Sequence, residues 1–175
     1  MKLIIELDKI KKLAEKKSEE NKGFRSFLKT CEIPQSRVDM IVHRLYKNIY
    51  PKIDCTACFN CCKEVGPVIS PDDIDTLSKE LRLSKNEFIS QYLVKMEEPG
   101  LYTFNQKPCP LLKDNLCSVY EVRPGDCRSY PHLLVKKIHS HLCSIIKNCA
   151  VCPIVYNVFE VLKIEIWGMM DDYSE

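Results

Sequence analysis

Cys55-Thr-Ala-Cys58-Phe-Asn-Cys61-Cys62 places four thiols within eight consecutive positions. Two-residue spacers let successive thiolates turn back onto one metal, because a CxxC turn brings its sulfurs together and leaves backbone N–H groups free to donate to them. A second group, Cys109, Cys117 and Cys127, and a third, Cys149-Ala-Val-Cys152-Pro153, also fall in stretches that read as loops. These nine thiols exceed the four ligands of one tetrahedral zinc or one cysteine-ligated cluster, so two centres, or one centre with a redox pair, fit the count. Adjacent side chains diverge, so Cys61 and Cys62 are expected to serve different centres. If all nine ionised, the formal charge would fall from +2 to −7. Such a cluster is stable only around a cation. Arg123 and Arg128 flank Cys127 and are candidates to donate hydrogen bonds to thiolates or cluster sulfides as a supporting layer. Cys152, just before Pro153 at an expected helix start, gains thiolate character from the helix dipole. Cys31 and Cys143 stand alone and read as buried structural residues.

Composition narrows the surroundings of this chemistry. The chain has 175 residues, 45% hydrophobic and 29% charged, which suits one globular domain with an ordinary core. Only 5 glycines are present, and neither a GxGxxG nor a GxxxxGK[ST] string occurs, which argues against the usual nucleotide folds. Leu3 to Leu7 is interrupted by Glu6, too short and charged for a signal peptide, and no apolar run reaches a membrane span. A cytoplasmic location is therefore expected, where thiols stay reduced and eleven cysteines read as ligands or redox groups. Lys11, Lys12, Lys16 and Lys17 are interleaved with Glu15, Glu19 and Glu20, a solvated helix face, so neither nucleic acid nor membrane is expected as partner.

The elements that must position the thiols are mostly helical. Apolar spacing predicts a helix from residue 2, a break at Asn21 to Gly23, then a further turn or two. Pro34 opens a second helix that Pro51 stops. Ser70-Pro71-Asp72-Asp73 and Ser84-Lys85-Asn86-Glu87 read as helix starts. Ile53 to Gly66 and residues 122–131 read as loops. Leu101 to Asn105 reads as a strand pairing with Pro110 to Leu112 or with Leu116 to Val119 across the turn Lys113-Asp114-Asn115. Two helices separated at Asn148 to Pro153 complete the chain. The expected architecture is mostly α, with small β pieces and a loop-rich cysteine centre packed among helices. It comprises a helical segment 1–52, a metal-binding region 53–153 and a C-terminal helix 154–175, all in one globular domain.

The first motif, followed by Cys109-Pro110-Leu111-Leu112 and by Cys117-Ser-Val-Tyr120-Glu-Val-Arg123-Pro124-Gly-Asp-Cys127-Arg128-Ser-Tyr130-Pro131, resembles the YkgJ-type CxxCxxCC cysteine-cluster family over roughly residues 53 to 153. That family is described as zinc- or iron-chelating, and flagellin lysine N-methylase carries a similar cysteine domain. The resemblance implies chelation by Cys55, Cys58, Cys61, Cys62, Cys109, Cys117 and Cys127, completed by Cys149 and Cys152.

Three functions follow as expectations. An iron–sulfur protein with a 4Fe-4S centre and a redox or enzyme-accessory role suits the all-cysteine ligands, the ferredoxin-like C-x2-C-x2-C start and the Cys-Pro at 152–153. A structural zinc module for binding a protein partner uses the same soft donors. A component of protein lysine methylation from S-adenosylmethionine is the third, although no nucleoside site is visible. His132, His139 and His141 read as surface or core residues.

Overall fold

The computed structural model describes residues 2–171. Among them are ten helices and two small two-stranded sheets, the mostly helical class the sequence predicts. The chain forms two compact units, one of Met1–Asp54 with Pro131–Glu175, the other of Cys55–Tyr130.

The first unit is built from α1 (Leu7–Lys16), α2 (Ser18–Thr30), α3 (Gln35–Ile49), α9 (Ile138–Cys149) and α10 (Pro153–Asp171). Residues 153–159 of α10 are buried on every side, as suits a central helix that α1, α3 and α9 surround. Phe24 of α2 meets Phe159 edge-on, with ring centroids 5.6 Å apart. The break expected at Asn21 to Gly23 lies instead at Lys17, between α1 and α2. Asn21 stays inside α2 because it is buried and its side-chain oxygen accepts from Lys163 Nζ at 2.9 Å. Lys163 itself is 2% exposed and bonds Glu160 at 2.6 Å and Glu20. Lys11, Lys12 and Lys16 do form an exposed face, whereas Lys17 pairs with Glu160. Residues 2–6 are not helical. The Asn157 amide holds Ile4 as a neighbouring strand would, accepting from Ile4 N–H at 3.0 Å and donating to its carbonyl at 2.7 Å.

The second unit contains α4 (Cys55–Cys58), α5 (Asn60–Glu64), α6 (Pro71–Glu80), α7 (Lys85–Tyr92) and α8 (Gly125–Ser129). Its strands are β1 (Leu93–Lys95), β2 (Tyr102–Phe104), β3 (Leu112–Lys113) and β4 (Leu116–Cys117). Ile69, Ile74, Leu77, Phe88, Leu93, Phe104, Leu111 and Val119 make its core. Both expected helix starts carry complete capping boxes, Ser70 with Asp73 and Ser84 with Glu87.

Two local expectations fail here for identifiable reasons. The strand at Tyr102–Phe104 pairs antiparallel with Leu93–Lys95, not with either stretch between 110 and 119. Residues 112–117 are closed on each other by Asp114 and Asn115, both left-handed at φ 50° and 57°, as a two-residue hairpin turn requires. The expected loops at 53–66 and 122–131 contain α4, α5 and α8, helices of four or five residues that are too short to show a hydrophobic period.

Candidate metal centre

The first cysteine motif is shaped by two short turns. Cys55 and Cys58 open and close α4, three residues apart and hence on one face. Phe59 then adopts a left-handed conformation at φ 46°, ending α4 and starting α5, so Cys61 and Cys62 fall in the first turn of the next helix. Phe59 is buried, which holds this uncommon conformation in place. The Cys61 thiol is the largest influence on Cys62 and acts to raise it, so the two neighbouring side chains interact.

The second cysteine stretch is joined to the first through the backbone: Cys109 N–H donates to the Cys62 carbonyl at 2.8 Å. Cys109 begins a tight turn closed by Leu112 N–H, which donates to the Cys109 carbonyl at 3.0 Å, and the N–H groups of Leu111 and Leu112 act to lower its thiol pKa. Cys117 ends β4, and the Val119 N–H likewise acts to lower its thiol pKa. Cys127 lies in α8, whose start is fixed from two sides. Asp73 accepts from Gly125 N–H at 2.9 Å, and the Asp126 carboxylate accepts from Val68 N–H at 2.9 Å. Asp73 is held below the usual carboxylate range by its bonds to Ser70 and Gly125 and by the Arg128 charge, which together outweigh its burial.

Cys62, Cys109, Cys117 and Cys127 share one electrostatic neighbourhood. The Cys61 thiol, and then burial, push Cys62 up. Burial first, then the Cys62 and Cys117 charges, push Cys109 up to about 11 against the lowering by its N–H donors. Cys127 is pushed up to about 12 by burial and then by Cys62, Cys109, Asp126 and Cys117. Cys117 is raised chiefly by burial and opposed by Val119 N–H and Arg123. In each case the thiolate is disfavoured by lost water and by neighbouring sulfurs, and only a cation reverses both effects. Among the described residues, no group of three or more His, Cys, Asp or Glu side chains stands close enough together to hold a metal ion. The chemistry of the donor set nevertheless fits a soft metal or a cluster: several thiols from separate segments, with nearby backbone N–H groups favouring the thiolate at Cys109 and Cys117.

The remaining expected site residues divide. Arg123 acts on Cys117 by charge, while its Nη1 donates to the Tyr120 carbonyl at 2.7 Å and its guanidinium lies 4.0 Å over the Tyr120 ring. Arg128 donates to the Arg123 carbonyl at 2.7 Å and acts by charge on Asp73, so it braces the loop. Cys55 is exposed and Cys58 half-buried on α4. Cys149 and Cys152 are buried in the first unit, at the turn from α9 to α10, where burial pushes the Cys149 thiol up. The buried roles expected for Cys31 and Cys143 are not found: Cys31 is half-buried and Cys143 exposed, because they sit at the margin of α2 and on the outer side of α9. Sequence reasoning missed Asp73 and Asp126 as anchors of the cysteine loops. Asp73 was legible only as a first-turn helix residue, and its bond to Gly125 spans two distant stretches.

Fold and site together define a cysteine-cluster domain. A family model described as "Putative zinc- or iron-chelating domain" matches residues 54–153, and the chain belongs to this CxxCxxCC family. No curated protein and no solved structure matches the chain.

Proposed function

We propose that the second unit binds a 4Fe-4S cluster through thiols drawn from Cys55, Cys58, Cys61, Cys62, Cys109, Cys117 and Cys127, and that the cluster serves a redox or enzyme-accessory role. The observation that carries this reading is the convergence of Cys62, Cys109, Cys117 and Cys127 from separate segments into one neighbourhood, with Cys109 N–H donating to the Cys62 carbonyl at 2.8 Å and the N–H groups of Leu111 and Val119 favouring the thiolates of Cys109 and Cys117. Hydrogen bonds to cluster sulfur are a main determinant of reduction potential, and they hold thiolates in place before the metal arrives. The all-sulfur donor set supports iron–sulfur or zinc ligation over harder cations. No cysteine is paired as a disulfide among the described residues, which suits a reducing compartment such as the cytoplasm.

The test is anaerobic purification with metal and sulfide analysis and a visible spectrum. About four iron and four sulfide per chain with broad absorbance near ~400 nm is the expected result. About one or two zinc per chain without sulfide or colour overturns the cluster and leaves the zinc module. Cys62→Ser, at the centre of the thiol neighbourhood, is expected to lose most of the metal, and full retention would remove Cys62 from the ligand set.

A further inference from the structure

The first unit contains a cavity of about 340 Å³, bounded by α2, α9 and the connection from α2 to α3. Its volume lies at the lower end of the ~300–1,000 Å³ typical of small-molecule pockets. Arg25 and Lys29, one turn apart on α2, bring two permanent positive charges to its wall, and no carboxylate lines it. Opposite them, His139 and Cys143 stand one turn apart on α9, with Ser140 between. His139 is 8% exposed and its Nδ1 has no hydrogen-bond partner; the buried Nε of Arg25 has none either. Two unsatisfied buried nitrogens on one cavity are unusual in a folded protein, since each forfeits its solvation without compensation. Gln35, also on the wall, is the first residue of α3, and that helix start has no side-chain cap, so its positive end adds to the field. By contrast, the first N–H of α9 is already taken by Asp39, which accepts from Ile138 at 2.9 Å.

We propose that this cavity binds a small molecule through an oxyanion group, a carboxylate or a phosphate. Arg25 and Lys29 supply the charge through their cationic head groups, while the unpartnered His139 Nδ1 and Arg25 Nε lie buried behind that wall. Gln35 and Ser140 complete the polar wall, while Leu28 and Ile33 provide apolar surface for the ligand's carbon portion. The thiols of Cys31 and Cys143 also line the cavity, so an occupant covers them. The lining residues all belong to the first unit, whereas the residues from Cys55 to Cys127 belong to the second.

The experiment titrates the metal-loaded full chain with inorganic phosphate and, separately, with succinate, each against chloride at matched ionic strength. Calorimetry reads affinity, and the rate of Cys143 alkylation by N-ethylmaleimide, followed by peptide mass spectrometry, reads occupancy of the cavity in the unmodified protein. At least one of the two anions is expected to bind and to slow Cys143 alkylation severalfold, and the tighter anion assigns the head group. Arg25→Met, which keeps the apolar stem, and the exposed-site change Lys29→Met are each expected to weaken binding roughly tenfold while leaving metal content unchanged. Circular dichroism of Arg25→Met checks its fold, and Lys29→Met alone suffices if that variant unfolds. No binding of either anion at about 10 mM overturns the proposal. Binding that survives Lys29→Met unchanged, or leaves Cys143 alkylation unaffected, also overturns it.

Discussion

Asp73 joins two functions in one carboxylate, and removing its charge separates them. One oxygen accepts from the Ser70 N–H at 3.0 Å and its hydroxyl at 2.7 Å, completing the cap of α6; the other accepts from Gly125 N–H at 2.9 Å, at the start of the helix that carries Cys127. A cap is worth about 1 kcal/mol, and a hydrogen bond to a charged acceptor about 1.5–3 kcal/mol. Half-burial and partial replacement by the amide bring the expected cost of Asp73→Asn to about 2 kcal/mol. That equals roughly a 30-fold rise in the opening equilibrium of the second unit. Hydrogen exchange of the α6 and α8 amides, resolved by peptide, measures it directly. Ser70→Ala removes only the cap and should cost about 1 kcal/mol, so the difference between the variants isolates the Gly125 anchor. The pH dependence has a definite sign. Because the folded Asp73 carboxyl titrates below its unfolded value of roughly 3.9, its stabilisation is complete above that value and is lost as pH falls through the lower folded value. Asp73→Asn should therefore flatten the acid limb of stability below about pH 4. Equal exchange rates in wild type and Asp73→Asn, with an unchanged acid limb, would refute the anchoring role.

Gly66→Ala places a Cβ 2.8 Å from Thr103 Oγ1, a stiff β-branched neighbour, and should destabilise the second unit by roughly 1–3 kcal/mol. Faster exchange at β1 and β2 would report this, and adding Thr103→Ala should restore protection; a neutral single variant contradicts the clash. In the first unit, Lys163→Met leaves Glu20 and Glu160 without their shared buried cation and should cost about 3 kcal/mol. Trp167 fluorescence in urea reads that loss as a lower midpoint, and a midpoint unchanged within error would show that the network is energetically silent.

Much of the helical framework could be read from the chain because its signals are local. Ser70 and Ser84 announce α6 and α7 through a side chain and an N–H three residues away, and Pro153 marks the start of α10. The cysteine segments were legible as a cluster of thiols but not in their architecture. Nothing in the spacing of Cys55 to Cys62 shows that Phe59 turns left-handed, since that conformation is imposed by burial of its ring. Likewise, the pairing of Tyr102–Phe104 with Leu93–Lys95 depends on which neighbour remains available after Asp114 and Asn115 close their own hairpin. The cavity in the first unit was invisible for the same reason. Arg25 and His139 lie far apart in sequence, and only tertiary packing sets both against one space.

The hydrogen bond from Cys109 N–H to the Cys62 carbonyl has a consequence for metal loading. In an open chain, bringing these two stretches together costs roughly 3 kcal/mol of loop-closure entropy. Here folding of the unit meets that cost, so under the proposed ligand assignment the incoming ion meets Cys62 and Cys109 with their main chains already side by side. Affinity then becomes a property of the folded unit as a whole, and an isolated peptide spanning the first motif would compete poorly for the same metal.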